Sequence, residues 1–165
     1  MSTLRLLALA LSSTLLACGG PTSKGSGTEA SGGASALAPV SAPELTLQRV
    51  GEGQVTVTLR APDERRPRMV DARVRWSKGW SLDSQQAGNA ANASDKTLYV
   101  KPVSETEARV IVFSSSNTQR LPDGVLAQLK FSGSGKGTVE IVPVPPMLAP
   151  ADTEQGLHIG DPISL

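Results

Sequence analysis

The sequence is poor in the residues that build disulfides, metal centres and redox sites. Its 165 residues include one cysteine, Cys18, and one histidine, His158. A single thiol cannot close a disulfide within the chain, so the folded part must be stabilised by its core alone. With no thiol in the folded part and His158 as the one histidine, nothing in the composition indicates a zinc, iron–sulfur or haem site. The composition therefore predicts a protein without a cofactor.

An excess of charge of either sign is also missing. The chain has 16 basic and 15 acidic side chains, with a formal net charge of +1 at pH 7. Such a balance provides no broad basic field for nucleic acid or for anionic lipid. The one basic cluster, residues 65–68, adjoins Asp63 and Glu64 and contains a proline, so we interpret it as a solvated turn. Nucleic acid is therefore not expected as a partner.

Residues suited to catalysis are present but scattered. The serines at 114–116 lack the G-x-S-x-G context of a nucleophile elbow, and no two carboxylates form an evident acid–base pair. His158 lies in a predicted late strand and is expected to point outward. We predict that the protein is not an enzyme. A calcium site built from oxygen ligands stays open as an alternative at Asp152, Glu154 and Asp161.

The amino-terminal stretch has the features of a secretory signal. Residues 6–17 read LLALALSSTLLA, without a charge, and follow the basic Arg5. This run is shorter than the roughly 20 residues that a membrane-spanning helix needs, and it suits the apolar core of a signal peptide. Residues 15–18, LLAC, resemble the lipobox of bacterial lipoproteins, which are cut before the cysteine and acylated on it. The resemblance implies a signal peptide at residues 1–17 and lipidation of Cys18.

A flexible linker is predicted between that cysteine and the folded domain. Of the 25 residues in 19–43, 21 are Gly, Ser, Ala, Pro or Thr, and such a segment buries too little apolar surface to become ordered. We assign residues 18–43 to the lipidated cysteine and its tether. Stable anchoring needs more than one acyl chain, and lipoprotein processing supplies several, palmitate among them. Because Gly19 replaces the aspartate that often follows the cysteine of inner-membrane lipoproteins, the resemblance implies an outer-membrane or cell-surface place in the envelope.

The remaining residues, 44–165, show a hydrophobic period of two. In the stretch QVTVTLR, Val55, Val57 and Leu59 alternate with polar residues, as in a strand with one solvent-facing side. The same alternation, separated by turn residues, recurs at residues 44–50, 69–76, 97–100, 108–113, 125–131 and 138–144. Residues 81–95 lack it; they could hold one helical turn, but their many small and amide residues favour a loop. The pattern predicts an all-β sandwich.

Aromatic residues are scarce, at 3% of the chain. The alternation places Trp76, Phe113 and Phe131 on the core side of their strands. Trp80 is expected to cover the edge of the core, and Tyr99 to face outward. Sandwiches that bind polysaccharide expose rows of rings for stacking on sugars, so one exposed ring is a poor platform.

Three stretches resemble the cohesin domain, a sandwich in the wider group that includes carbohydrate-binding modules. DARVRWSKGWSL, from residue 71, has an alanine-containing strand that ends in an aromatic residue and is followed by a leucine. LPDGVLAQLKF, residues 121–131, is similar to the cohesin strand that follows an Asp-Gly pair and ends in phenylalanine. ADTEQGLHI, from residue 151, resembles the last cohesin turn and strand. The resemblance implies an antiparallel β-sandwich with jelly-roll topology and about nine strands.

The resemblance also implies a module that binds a protein partner, of the dockerin type, on one sheet face. The candidates for that face are the outward side chains Arg73 and Arg75 and two residues of a nearby loop, Ser115 and Asn117. Two alternatives stay open, polysaccharide binding and a structural role in an envelope assembly. The sequence therefore predicts a binding module that a lipid anchor holds at the membrane.

Overall fold

The protein, described here by a computed structural model over residues 40–142, 144 and 157–165, is almost entirely β structure in these ranges. The strands are β1 (Glu44–Gly51), β2 (Gln54–Arg60), β3 (Val70–Trp76), β4 (Trp80–Ala87), β5 (Thr97–Ser104), β6 (Glu107–Phe113), β7 (Gly124–Gly133), β8 (Thr138–Val142), β9 (His158–Ile159) and β10 (Ile163–Ser164). Helical residues of the described part are limited to a 3-10 turn, Asp63–Arg65, and a short helix, α1 (Asn89–Ala93). The predicted all-β class is confirmed, with ten described strands where about nine were expected.

The strands form two five-stranded sheets. The first sheet has the order β4-β7-β2-β1-β9, and the second has the order β10-β8-β3-β6-β5. Pairing is antiparallel throughout both sheets except between β1 and β9, which run parallel. The chain crosses between the two sheets repeatedly, between β2 and β3, β3 and β4, β4 and β5, β6 and β7, and β7 and β8. These crossings place the two sheets face to face.

The core lies between the sheets because strands of both turn their apolar sides inward. In β2, Val55, Val57 and Leu59 are each at most 1% exposed, which confirms the predicted alternation. Trp76 of β3 contacts Phe131 of β7, with ring centroids 5.3 Å apart. This tilted aromatic contact joins the second sheet to the first and adds to the burial of both rings.

The prediction that Phe113 lies in the core is wrong. In β6 the residues that face the core are Ala108, Val110 and Val112, each at most 1% exposed. Side chains alternate along a strand, so Phe113 points outward and is 37% exposed. Tyr99 is 49% exposed, as predicted, and the two rings lie on the same side of the second sheet.

Trp80 covers the edge of the core, as predicted, and it rests on two glycines. Its side chain is partly buried against the core. A Cβ atom at Gly133 would lie 2.5 Å from Cδ2 of Trp80, and one at Gly137 would clash with Nε1. The carbonyl oxygen of Trp80 accepts a hydrogen bond of 2.9 Å from Nε1 of Trp76. The absence of a side chain at both glycines therefore allows the indole to close the sandwich.

The interpretation of residues 81–95 as a loop is wrong. They contain most of β4, which is the edge strand of the first sheet, and α1. The pairing of β4 with β7 shifts register between Leu82 and Ser84, and most side chains of β4 are exposed. An irregularity of this kind inserts an extra residue and interrupts the period of two. The strand was missed because its alternation is broken and its residues are polar.

Several predictions lie outside the described residues. They concern the signal peptide at residues 1–17, the lipidation of Cys18, the linker up to residue 39, and two of the proposed calcium ligands, Asp152 and Glu154. Within the described ranges no helix has the length and apolar character to cross a bilayer.

Candidate functional site

The outward side of the second sheet carries the predicted candidates Arg73 and Arg75. Residues directly opposite each other on neighbouring strands point to the same side of a sheet. Arg73 of β3 lies opposite Arg109 of β6 and Val142 of β8, and Arg109 lies opposite Lys101 of β5. We call the surface formed by the outward side chains of β5, β6, β3 and β8 the second-sheet face.

A buried carboxylate lies at the centre of the second-sheet face. The Asp71 side chain is 2% exposed and accepts two hydrogen bonds from Arg109, one of them 2.8 Å from Nε to Oδ1 and the other from Nη2 to Oδ2. Such a bidentate contact is among the stronger hydrogen-bonded ion pairs. The hydrogen bond to Asp71 raises the pKa of Arg109 above its ordinary value, against the opposing effect of burial. Asp71 thus points to the outward side of the sheet, where Arg109 covers it.

A second group of ion pairs extends from Glu107 of β6 across β3 to Glu140 of β8. Glu107, whose side chain is 11% exposed, accepts a hydrogen bond of 3.2 Å from Nη1 of Arg73. Its other oxygen accepts two bonds of 3.1 Å from Nε and Nη2 of Arg75. Arg75 also donates from Nη1 to Glu140 over 3.4 Å. Both candidate arginines are therefore held in place by acidic partners of the same sheet.

Apolar side chains are exposed at the end of the second-sheet face that lies away from Glu107 and Arg75. Tyr99 of β5 lies opposite Ile111 of β6, and Thr97 lies opposite Phe113. Ile111 is half-buried, whereas Tyr99 and Phe113 are 49% and 37% exposed. We call Tyr99, Ile111 and Phe113 the apolar patch. Exposed aromatic side chains beside arginine are typical of surfaces that bind other proteins.

The loop after β6 places the other two candidates in different environments. Ser115 is exposed. The Asn117 side chain is engaged within the protein: its Oδ1 accepts a hydrogen bond of 2.7 Å from Nζ of Lys96. Its Nδ2 donates to the carbonyl oxygens of Ser94 and Asp95 over 3.2 and 3.1 Å. Asn117 therefore ties this loop to the segment before β5, and Ser115 is free to contact a partner.

Lys96 is the buried cation of this hydrogen-bonded cluster and is 6% exposed. Burial lowers the pKa of Lys96, the nearby Arg68 lowers it further, and Asp95 opposes both effects. The Lys96 ammonium donates to the carbonyl oxygen of Asn117 over 3.2 Å as well as to its side chain. Since a buried ammonium needs such partners, the cluster fixes the loop that follows the apolar patch.

Arrangements suited to catalysis or metal binding do not occur among the described residues. No group of three or more His, Cys, Asp or Glu side chains in these ranges is placed to hold a metal ion. His158 is exposed on β9. A cleft of about 270 Å³ lies between β4 and β5, and its lining includes one carboxylate, Glu105, and no second titratable group.

Comparison with known proteins identifies similar folds among solved structures only. No protein-family model matches the chain, and no curated protein sequence matches it. One similar structure is the sixth cohesin of scaffoldin B from Acetivibrio cellulolyticus, in complex with a mutant Cel5 dockerin. Its TM-score is 0.53 at 20% identity, over 62% of this chain and 82% of that one. Another is the OlpA cohesin from Clostridium thermocellum, in a type I complex with a dockerin. Its TM-score is 0.50 at 16% identity, over 61% of this chain and 81% of that one. The chain therefore has a cohesin-like β-sandwich fold.

Proposed function

We propose that the protein is a non-catalytic binding module that recognises a protein partner of the dockerin type through the second-sheet face. The observation that carries this proposal is the apolar patch. Tyr99 and Phe113 are exposed beside charged side chains that already pair with one another. The similar solved structures support the class of function, since both are cohesins crystallised with a dockerin.

The second-sheet face suits a rigid docking surface. Arg73 and Arg75 are held by Glu107, so little further side-chain freedom is lost when a partner binds, and ordering of such side chains is a main cost of association. Burial of the apolar patch supplies a favourable term of about 25 cal/mol for each Å² removed from water. Aromatic side chains in such positions commonly dominate binding energy.

A helical partner fits the layout of this face. The apolar patch lies at one end of the sheet, and Arg73, Arg75 and the exposed Lys101 lie towards the other. An amphipathic helix presents apolar side chains three and four residues apart, which would cover the patch. Acidic residues on the same helix would reach the three basic side chains.

The test is an affinity capture with the full chain and matched variants. The immobilised protein is exposed to an extract of the organism that encodes it, and the captured protein is then titrated against purified variants. We expect Tyr99→Ser and Phe113→Ser each to weaken binding by about tenfold, the effect of losing an interface hot spot. Val50→Ser is the matched control, because Val50 is an equally apolar side chain, 59% exposed, on β1 of the first sheet.

Three results would overturn this assignment. Capture of polysaccharide alone, lost with Tyr99→Ser and Phe113→Ser, would favour the carbohydrate alternative. Association of the purified chain with itself through the same patch would favour a structural subunit of an envelope assembly. A protein partner that binds both patch variants as tightly as the native chain would place its site elsewhere.

We further propose that acyl chains on Cys18 anchor the module to a membrane of the cell envelope, at the outer membrane or the cell surface. The resemblance of residues 15–18 to a lipobox supports this proposal. The expected result is a membrane-associated protein whose amino-terminal peptide carries acyl chains by mass spectrometry. Cys18→Ser should release the protein from the membrane fraction, because a chain without acyl groups lacks the anchor. An unmodified Cys18 on the native protein would contradict the anchor.

A further inference from the structure

Away from the Glu44–Arg60 ion pair, the outward side of the first sheet carries mainly uncharged polar side chains, whereas the second-sheet face carries a group of ion pairs. The register aligns Gln54 of β2 with Lys130 of β7 and Ser84 of β4. The next row aligns Thr56 with Gln128 and Gln86 on the same three strands. All of these side chains except the buried Thr56 are exposed. We call this surface the glutamine face.

The polar side chains of the glutamine face are not engaged within the described part of the protein. Neither the three glutamine amides nor the Lys130 ammonium makes a hydrogen bond or ion pair with a described residue. Solvent therefore satisfies these groups in the free protein. They remain available as three amides and one cation that point to the same side of three adjacent strands.

A shallow groove of about 130 Å³ lies between these side chains. It is lined by outward residues of four strands and by no acidic side chain; those outward residues are Val50, Gln54, Ser84, Gln86, Gln128 and Lys130. Pockets for drug-sized ligands have volumes of about 300–1,000 Å³. The groove is too small for such a ligand, and its open shape suits one unit of a longer chain that runs across the sheet.

The chemistry of the groove points to a particular class of chain. Each amide side chain both donates and accepts hydrogen bonds, and a sugar hydroxyl does the same. Val50, 59% exposed at the end of the groove, offers an apolar contact for the carbon side of a sugar ring. The Lys130 ammonium has no acidic neighbour in the lining, so it complements a carboxylate on the ligand. We propose that the glutamine face binds an acidic glycan, with hydroxyls on the glutamines and a uronate-type carboxylate on Lys130.

The experiment titrates the full chain with hexagalacturonate and, as a neutral chain of the same length, with cellohexaose. Calorimetry or amide chemical shifts report the binding. We expect hexagalacturonate to bind at millimolar concentration. Gln128→Ala should weaken that binding at least about fivefold, the effect of losing one hydrogen bond. Lys130→Ala should lower the affinity for hexagalacturonate to that for cellohexaose.

Matched variants separate this site from the second-sheet face. Tyr99→Ser should leave glycan binding unchanged, and Gln128→Ala should leave the protein partner bound. Circular dichroism confirms that each variant is folded before titration. Absence of any response to hexagalacturonate overturns the proposal, as does binding that Gln54→Ala, Gln86→Ala and Gln128→Ala all leave unchanged. A partner protein that perturbs the glutamine face instead would also overturn it.

Discussion

The two outer faces of the sandwich differ in how their polar side chains are satisfied. On the second-sheet face Asp71 pairs with Arg109, and Glu107 pairs with Arg73 and Arg75. On the glutamine face the amides and Lys130 have no partner among the described residues. The same strand alternation creates both faces, so the choice of residue at the outward positions, and not the fold, makes the difference.

This difference separates two kinds of binding surface. Paired charges hold a face rigid and leave its exposed apolar side chains to provide affinity, as in interfaces with other proteins. Unpaired amides keep their hydrogen-bonding capacity for hydroxyl-rich ligands. One sandwich thus presents a surface for a folded partner on one side and a surface for a flexible polar chain on the other.

The two faces are expected to differ most in the stability lost when one cationic side chain is removed from each. Arg109→Ala leaves the Asp71 carboxylate, 2% exposed, buried without its partner, and we expect it to lower the free energy of unfolding by about 3 kcal/mol. Lys130→Ala, on the glutamine face, should change it by less than about 0.5 kcal/mol. Chemical denaturation measures both values. Equal decreases in the free energy of unfolding for the two variants would contradict this difference between the faces.

A smaller effect is expected in the loop beside the apolar patch. Asn117→Ala removes the side-chain acceptor of the Lys96 ammonium, and it should lower the free energy of unfolding by about 2 kcal/mol. Ser115→Ala is the control and should stay within about 0.5 kcal/mol, since the residue is exposed. The same two variants test their predicted contact with the partner. If Ser115→Ala weakens partner binding while the fold stays stable, the loop belongs to the interface.

The smallest effect is a coupling energy between neighbouring side chains. A double-mutant cycle of Arg75→Ala and Glu107→Ala should show a coupling of about 1 kcal/mol, since the pair is partly buried and bonded twice. The equivalent cycle of Gln86→Ala and Gln128→Ala should give a coupling near zero. A coupled glutamine pair would mean that the amides already satisfy each other and are not free for a ligand.

Much of the fold could be predicted from alternation alone. The stretch predicted at residues 54–60 coincides with β2, Gln54–Arg60. The alternation predicted at residues 69–76 agrees with β3, because Val70, Ala72 and Val74 are all buried. Such strands combine one apolar side with one polar side, and this contrast is visible without any knowledge of their neighbours.

The parts that were missed depend on register and on contacts between distant residues. The alternation was misapplied at Phe113, which was given the core side of its strand although Val110 and Val112 already fix which positions of β6 face inward. The apolar patch could have been found by counting from these two valines. The hydrogen bond between Lys96 and Asn117 joins residues 21 positions apart, and no local pattern predicts it. The prediction did place Arg73 and Arg75 on the outward side of their strand, where the structure has them.

The most direct test of the central claim, that the second-sheet face binds a protein partner, is an amide chemical-shift map. The full chain, labelled with ¹⁵N, is titrated with the purified captured partner. We predict that the largest shifts fall on β5 and β6, around Tyr99, Ile111 and Phe113, while β2 and β7 stay unperturbed. Shifts that cluster on the first sheet and spare β5 and β6 would contradict the claim.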